Sequence, residues 1–525
     1  MKLLIPLFLF LCSLNGITQQ RIDVQHYKYD IELSDQSDVI NGKAWITTKF
    51  LEPASTVVFN LASVEEDKGM QVFVVMENGK ALKFLHRDNL LQIVLHDVAE
   101  KRQVKTFEIQ YMGKPKDGLI ISKNKYGERT FFADNWPDRA QQWIPCNDTP
   151  ADKATIEFIV TAPIHYRIIS NGTLLSVKGL TNNKRRTHWK EESLIPTKVM
   201  VIGAADFAVK RVDSAYSIPV TAWVYKKDSA KGVYDYELGD DILKFYESYI
   251  GPYPFKKLAN VQSKTIFGGM ENAGAIFYGE NTVKGDRSSE ALMAHEIAHQ
   301  WFGNTATEKS FAHLWLSEGF ATYLTHLYIE HKYGVDSFQK RLKEDRNIII
   351  AFSKRNNRPV VDSISGYMDL LNANSYQKGG WVLHMLRQET GDSLFKKIIR
   401  AYYKLYKYSN ADTRDFQQVA EKVSGRNLNW FFDQWLYGTG IPKLELKWKK
   451  EDDGIKIEIE QKGKNIFQMP FQIEIITGSG KRILQIFHLK EKEFKIKFPV
   501  TEKVTDVRFD PYEQLLFEGS VIEKD

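Results

Sequence analysis

The chain has 525 residues, of which 43% are hydrophobic and 26% are charged, and its formal net charge is +6. This length exceeds what one hydrophobic core supports, so we expect about two to four domains in a globular protein. The small net charge argues against a nucleic-acid-binding protein. The one dense basic run, residues 184–186, follows turn-forming residues and predicts a solvated hairpin tip.

The N-terminus has the pattern of a secretory signal. Lys2 precedes a short apolar run, residues 3–11, and small residues follow it. We therefore predict a signal peptide at residues 1–18 and an exported protein, periplasmic or secreted. The run is too short to span a bilayer, and no later run is long and apolar enough, so we expect no integral membrane segment after cleavage. Cys146 then remains as a lone cysteine, which predicts no internal disulfide.

Residues 19–226 carry the alternating pattern of β-strands. Short runs rich in β-branched and aromatic residues recur between Gly, Asn, Asp and Pro. The clearest runs are residues 27–33, 44–50, 57–59, 91–95, 106–111, 154–160 and 218–225. We predict a large antiparallel N-terminal β domain.

Helical periodicity replaces this alternation in residues 227–440. The pattern predicts helices over residues 240–249, 290–302, 316–331, 377–389, 394–406 and 413–423, with a strand over 261–266. Alternation returns in residues 441–525, where short strands at regular spacing predict a small C-terminal β-sandwich. The fold class is therefore multidomain α+β.

Two histidines and a glutamate give the strongest chemical signal in the helical block. His295 and His299 stand four positions apart, which places both imidazoles on one face of a helix. Such a pair alone is also common on a partly buried helix surface. Glu318 follows within a second helical pattern, and three such ligands leave a zinc ion one open position, as in a catalytic site. Glu296, beside the first ligand, is free to act as a general base.

Four motifs in one order resemble the M1 family of zinc aminopeptidases, the gluzincins that include aminopeptidase N and the leukotriene hydrolase. They are GGMEN at residues 268–272, HEIAHQWFGN at 295–304, LWLSEGFA at 314–321 and YQKG at 376–379. The resemblance extends over essentially the whole mature chain. It implies a thermolysin-like α/β catalytic domain for the helical block and one Zn²⁺ per chain, held by His295, His299 and Glu318.

The resemblance also implies roles for residues beside the metal. Glu271 matches the glutamate that binds the free α-ammonium of a substrate, and a peptide α-amine with a pKa of about 7.7 to 8.0 is mostly charged at pH 7. The neighbouring backbone would run beside the substrate as in strand addition, so the predicted binding residues also include Gly268, Gly269, Met270 and Asn272. Tyr376 matches the catalytic tyrosine that donates a hydrogen bond to the tetrahedral intermediate.

Two departures from the family pattern bear on the substrate. Residues 133–140 align with a stretch that carries a glutamine and often a second amine-binding glutamate, and those positions fall on Asp134 and Trp136. Either Asp134 assists the ammonium group, or the second anchor is missing; we include Asp134 among the predicted binding residues.

The sequence ends after the small sandwich, where larger relatives carry a further helical domain. We therefore expect a more open cleft that admits longer peptides.

The sequence predicts a zinc-dependent aminopeptidase that removes N-terminal residues from peptides with a free N-terminus. The first alternative is a thermolysin-type endopeptidase, which would accept blocked peptides and against which Glu271 argues. The second is a non-catalytic M1-like scaffold, although both the ligand pair and the base are intact. An epoxide hydrolase side-activity is also compatible with the motifs. We expect no nucleic-acid partner, and the sequence carries no signal for an oligomeric state.

Overall fold

Three blocks of secondary structure follow one another along the chain. The computed structural model describes residues 22–213, 217–452 and 454–523, so the predicted signal peptide lies outside the described residues. Buried side chains of all three blocks join one continuous hydrophobic core. Within the described part of the chain, no helix combines the length and apolar character needed to cross a bilayer.

The first block is built from strands, as the alternation predicts. The strands are β1 (Ile22–Glu32), β2 (Ile40–Phe50), β3 (Ala54–Asn60), β4 (Gly69–Glu77), β5 (Lys80–Ala81), β6 (Lys83–Arg87), β7 (Leu90–Ala99), β8 (Val104–Lys114), β9 (Leu119–Lys123), β10 (Arg129–Ala133), β11 (Lys153–Pro163), β12 (Arg167–Ser170), β13 (Thr173–Leu180), β14 (Lys184–Pro196), β15 (Ile202–Ala205), β16 (Phe207–Arg211) and β17 (Val220–Tyr225). They form an eight-stranded sheet in the order β13-β14-β11-β1-β2-β8-β4-β5, a four-stranded sheet β12-β15-β10-β9 and a three-stranded sheet β3-β7-β6.

The large sheet is antiparallel except at its centre. β1 pairs with β2 antiparallel but with β11 parallel, and Tyr29 lies opposite Phe158 in that parallel pair. Side-chain alternation has the same period in both arrangements, so it does not report strand direction. The basic residues 184–186 begin β14, and two of them pair with acids of β1: Arg186 with Asp30 at 2.6 Å, and Lys184 with Glu32 at 2.5 Å.

The second block holds the helices. Its elements are α1 (Ser229–Tyr236), α2 (Leu238–Tyr249), β18 (Leu258–Ser263), β19 (Gly269–Met270), β20 (Ala275–Gly279), α3 (Glu290–Ala298), β21 (Ala306–Glu308), α4 (Trp315–Tyr333), α5 (Val335–Ser353), α6 (Gly379–Thr390), α7 (Asp392–Tyr406), β22 (Ser409–Ala411), α8 (Thr413–Ser424) and α9 (Asn429–Phe432). α8 shows why such boundaries are readable: Asp412 and Asp415 form a capping box, and Gly425 ends the helix in the left-handed conformation.

A five-stranded sheet with the order β16-β17-β18-β20-β19 combines two strands of the first block with three of the second. β17, β18 and β20 are parallel, whereas the two edge pairs are antiparallel. β16 and β17, which the sequence analysis placed in the N-terminal domain, therefore belong to a sheet of the helical block. Hydrogen bonding across the predicted boundary at residue 226 joins them, and local alternation carries no information about that pairing.

Two helices of this block run antiparallel and frame the site. Near the C-terminal end of α3, His299 lies 3.3 Å from Glu318 near the start of α4. Near the other end, the hydroxyl of Tyr328 donates to Glu290 at 2.6 Å. α5, which the sequence analysis did not identify, packs beside α4 and buries Phe338, Leu342, Asp345 and Ile349.

The third block is a pair of small sheets. It consists of β23 (Lys443–Glu451), β24 (Gly454–Gln461), β25 (Met469–Thr477), β26 (Arg482–Leu489), β27 (Glu493–Pro499), β28 (Val504–Phe509) and β29 (Glu518–Glu523). The sheet orders are β27-β24-β23-β29 and β26-β25-β28. The multidomain α+β fold class is thus confirmed, from the N-terminal β sheets through the helical block to the C-terminal strands.

Candidate active site

The structure brings His295, His299 and Glu318 together. The Nε2 atoms of the two imidazoles lie 3.0 Å apart. Glu318 Oε2 lies 3.2 Å from Nε2 of His295 and 3.3 Å from Nε2 of His299. Three donor atoms from two helices therefore face one point between α3 and α4.

This donor set fits a divalent metal ion. Ligand atoms bound tetrahedrally at about 2.0–2.2 Å stand roughly 3.3 Å apart, close to the spacings observed here. His299 Nδ1 lies 3.1 Å from the carbonyl oxygen of Phe302. Because a carbonyl only accepts, we assign the proton to Nδ1, which leaves the Nε2 lone pair for a metal.

The surrounding charges favour a cation at the same point. Burial alone would lower the pKa of His299, but Glu318, Glu271 and Glu296 outweigh it and raise this pKa to about 10. An imidazole ringed by carboxylates attracts positive charge, whether a proton or a metal ion. The side chains present therefore fit a metal centre with three protein ligands.

Close helix packing holds Glu318 at this position. A Cβ built on Gly319 would lie 2.8 Å from the backbone of Gly379, so α4 and the start of α6 approach as only glycine permits. Ser317 Oγ lies 3.3 Å from Nδ1 of His299, which ties the start of α4 to the second histidine. Glu318 and His299 are thereby fixed relative to each other.

Glu296 lies on the cavity side of α3 and is buried. Burial raises its pKa well above the ordinary value, and the nearby Glu271 and Glu318 act in the same direction. Gly269 crosses directly over it, since a Cβ there would lie 2.4 Å from Glu296 Oε1. A base of raised proton affinity thus stands beside the donor set, next to the backbone of β19.

The segment that contains Gly268, Gly269, Met270 and Glu271 forms one wall of the cavity. β19 is the edge strand of its sheet, with Gly269 opposite Tyr278 and Met270 opposite Phe277 on β20. Its outer edge is therefore available to an extended peptide. This placement agrees with the strand-addition geometry predicted from the sequence.

Glu271 presents a carboxylate oxygen with no partner. Its Oε1 is buried and, among the described residues, accepts no hydrogen bond. Burial raises its pKa, and this effect is opposed by His299 and reinforced by Glu318. An orphaned buried carboxylate oxygen beside a strand edge is a site for a cationic donor from a ligand.

Two residues that the sequence analysis quoted only as motif letters hold Glu271 in place. Gln300 Nε2 donates to the Glu271 carbonyl at 2.8 Å, and Asn304 Nδ2 donates to the same oxygen at 2.7 Å. Gln300 follows His299 directly and Asn304 comes four residues later, so the segment that follows α3 also holds the backbone beside β19. Their place within HEIAHQWFGN was the signal for such a role.

Tyr376 lies over the first histidine. It occupies a π-helical turn, Asn374–Lys378, and its ring stacks on that of His295 with centroids 5.8 Å apart. Burial, together with Glu318, Glu271 and Glu296, raises the pKa of Tyr376 well above its usual value. Its hydroxyl therefore stays protonated at neutral pH and is available as a hydrogen-bond donor in the cavity.

The structure does not bring Asp134 into the cavity. Its side chain is fully buried, and its oxygens accept from Arg139 at 2.8 Å and from Thr265 Oγ1 and the Ile266 N–H at 2.9 Å each. With both oxygens committed to protein donors, Asp134 positions the segment that leads to Gly268. This contradicts the predicted contact of Asp134 with the ammonium group.

Asn272 and Trp136 are placed differently: Asn272 lies outside the cavity, and Trp136 lines it. Asn272 is fully buried and does not line the cavity; its backbone carbonyl accepts from the Ala275 N–H at 3.0 Å and closes the turn after β19. Trp136, in contrast, lines the cavity and packs edge-on against Phe267 and Phe311. An apolar indole thus stands at the position where the family pattern often carries a second amine-binding glutamate.

Together these side chains surround a cavity of about 450 Å³, lined by the donor set, Glu271, Glu296 and Tyr376 among others. A donor set for a three-ligand metal ion, beside a buried base, a phenol and an orphaned carboxylate, is the arrangement that metal-assisted hydrolysis requires.

Comparison with known proteins identifies the family. The Peptidase family M1 domain matches residues 234–435, and the Peptidase M1 N-terminal domain matches residues 23–199. The chain belongs to peptidase family M1. The resemblance stated from the four motifs is therefore confirmed.

Several similar proteins are named aminopeptidases. The chain is 28% identical to aminopeptidase M1-C of Oryza sativa subsp. japonica, in an alignment that covers 90% of this chain and 56% of the relative. It is 28% identical to probable aminopeptidase 2 of Sulfurisphaera tokodaii, with 82% and 56% covered, and 30% identical to aminopeptidase M1 of Arabidopsis thaliana, with 83% and 52% covered. The chain thus spans about half the length of these relatives.

A solved structure shows the same fold. A variant of an M1 zinc metallopeptidase from Deinococcus radiodurans superposes with a TM-score of 0.69, covering 80% of this chain and 95% of that one. The two sequences are 20% identical, so this comparison concerns the fold alone.

Proposed function

We propose that the protein is a zinc-dependent aminopeptidase that releases N-terminal residues from peptides. The observation that carries this proposal is the unpaired, buried carboxylate oxygen of Glu271 so close to the metal centre. Carboxylate atoms of Glu271 and Glu296 and a ring nitrogen of His299 lie within 4.8 Å of one another. An ammonium group held by Glu271 is thus within one residue of the donor set.

This distance sets which bond is cleaved. Consecutive Cα atoms of a peptide stand about 3.8 Å apart, so two residues do not fit between an ammonium group at Glu271 and a carbonyl carbon at the donor set. The carbonyl of the first residue is the one that reaches the reacting position. An endopeptidase would need open space for the chain on the N-terminal side, where Glu271 stands.

A zinc ion held by His295, His299 and Glu318 would supply a polarised water of lowered pKa and a Lewis acid for the carbonyl oxygen. Glu296, with its raised pKa, accepts the proton released by the attacking water and delivers it to the leaving amine. The Tyr376 hydroxyl donates to the oxygen of the tetrahedral intermediate. The edge of β19 aligns the substrate backbone.

Peptides with a free N-terminus are the proposed substrates. At neutral pH an α-amine with a pKa of about 7.7 to 8.0 is mostly an ammonium ion, which a buried carboxylate binds through a charge-assisted hydrogen bond. Acetylation removes both the charge and two donors.

We also propose, from the composition of residues 1–18, that the protein acts outside the cytoplasm.

The test compares an aminoacyl-anilide with its N-acetylated form on the zinc-loaded full chain. We expect hydrolysis of the free amine alone, loss of activity with a chelator, and a rise in KM for Glu271→Gln with unchanged zinc content. Cleavage of acetylated peptides at internal bonds would instead establish the endopeptidase. A zinc-loaded chain that cleaves neither class would be a scaffold.

A further inference from the structure

The cavity has a second polar end that the chemistry above leaves unused. Because α3 and α4 are antiparallel, the C-terminal end of α3, next to His299, meets the start of α4, which carries Glu318. His326 of α4, with Arg341 and Asp345 of α5, lines the same cavity. His326 lies further along α4 than Glu318, toward the opposite end of α3.

The geometry of α4 places this end away from Glu271. Glu318, Thr322, Thr325 and His326 share the cavity-facing side of the helix, and eight residues at 1.5 Å each separate Glu318 from His326 by about 12 Å.

The charge at this end is positive and uncommitted. Arg341 is the only arginine or lysine among the described residues that line the cavity, and no ion pair or hydrogen bond of its guanidinium exists within that part of the chain. Asp345, one turn later on α5, instead bonds His326 Nε2 at 2.7 Å. On the same helix Arg346 is committed to ion pairs, with Asp510 at 2.7 Å and Glu513 at 2.8 Å.

We propose that Arg341 forms a carboxylate-binding subsite for the part of a peptide that follows the cleaved bond. The proposal rests on the aminopeptidase function above and adds a substrate class to it. A guanidinium binds a carboxylate through two parallel hydrogen bonds, and Arg341 has its donors free. The His326–Asp345 pair forms the floor beside it.

Two sources supply this carboxylate. An extended peptide spans about 3.3–3.6 Å per residue, so roughly three residues cover the distance from the donor set to His326. The C-terminal carboxylate of a tripeptide or tetrapeptide therefore reaches Arg341. An acidic side chain one or two residues beyond the cleaved bond reaches it as well, since both ligands present the same group.

The experiment measures kcat/KM of the zinc-loaded full chain on three trialanine-based substrates. These are the free acid, its C-terminal amide, and an amidated peptide with glutamate after the first residue. We expect at least about a tenfold preference for one or both acidic peptides over the neutral amide, the scale of a hydrogen-bonded charged pair. Preference for the free acid identifies the C-terminus as the source, and preference for the glutamate peptide identifies the side chain.

A matched pair of variants assigns the preference to Arg341. Arg341→Gln is expected to abolish it and to leave the neutral amide and an alanyl-anilide unchanged, whereas Arg341→Lys is expected to retain part of it. Lys340→Gln is the control, because it removes the same charge from an exposed neighbour outside the cavity. Equal anilide turnover shows that both variants are folded.

Three results would overturn the proposal. They are equal kcat/KM of the wild type on acidic and neutral peptides, an equal loss on all substrates in Arg341→Gln, and the same loss of preference in Lys340→Gln. Each occurs with the anilide still cleaved by the wild type. Failure of the aminopeptidase function itself would appear differently, as no cleavage of the anilide or of any peptide.

Discussion

Two clusters of buried charge lie close together in the molecule, and they balance their charges in opposite ways. Lys198 and Glu308 are almost fully buried and form an ion pair, and Lys153 nearby donates to the carbonyls of Thr305 at 2.6 Å and Ser409 at 2.8 Å. Positive charge therefore accompanies the carboxylate inside the protein. This cluster joins β11, the turn after β14 and β21, and Lys198 balances the charge of Glu308 within the protein.

The cluster at the cavity lacks such compensation. Glu271, Glu296 and Glu318 are all buried, and the imidazoles of His295 and His299 lie beside them. A buried charge without a partner destabilises the fold, so this arrangement persists where a ligand supplies the missing charge. The difference separates a structural cluster from one that the proposed function assigns to a metal cation and an ammonium group.

Removing the base from the cavity cluster gives the largest expected effect. Glu296→Gln should lower kcat by about 10²–10⁴, the range for a general base, because the amide accepts no proton. Since burial already penalises the charged Glu296, the variant should be at least as stable as the wild type. Anilide turnover and thermal unfolding check this, and a clear fall in Tm would contradict the assigned difference between the clusters.

The same isosteric change in the structural cluster should have the reverse outcome. Glu308→Gln leaves Lys198 buried without its counter-charge, at a cost of about 3–5 kcal/mol in the free energy of unfolding. The kcat of the folded fraction should stay within a few-fold of the wild type. Denaturant unfolding and active-site-normalised kinetics separate the two quantities; unchanged stability would show that this pair is not structural.

Loss of the phenol should affect only the chemical step. Tyr376→Phe is expected to lower kcat by about 10²–10³, the effect of removing one donor to a developing oxyanion, with little change in KM. The ring that stacks on His295 remains, so the zinc content should not change. A variant that loses zinc together with activity would mean that Tyr376 acts by packing.

Weakening the hydrogen bonds that hold the Glu271 backbone beside β19 should give the smallest effect. Asn304→Ala removes one of two donors to the Glu271 carbonyl, a contribution of about 0.5–1.5 kcal/mol, so KM for free-amine substrates should rise about two- to tenfold. Zinc content and kcat should change little. A fall in kcat with constant KM would place Asn304 in the chemical step instead.

The sequence predicted the parts of the site whose geometry is local. His295, Glu296 and His299 follow from helix periodicity, and Glu318 follows from a second helical pattern at a set distance. Strand and helix content followed for the same reason. In contrast, two features depend on contacts between distant segments. They are the parallel pairing of β1 with β11 and the inclusion of β16 and β17 in the five-stranded sheet.

The parts that were missed depend on the surroundings of a side chain. Asp134 matched an alignment position, but only the fold shows that Arg139, Thr265 and Ile266 consume its oxygens. Arg341 stood in a helix that was not recognised, although Phe338, Leu342, Asp345 and Ile349 have helical spacing. Whether a charge is engaged or free is a property of the folded protein.

Metal content tests the central claim most directly. Purified chain, dialysed and measured by elemental analysis, should contain about one zinc ion per molecule. His299→Ala should contain almost none, and Glu308→Gln should retain the wild-type amount in its folded fraction. A wild type without stoichiometric metal, or a His299→Ala variant that binds it undiminished, would contradict the account.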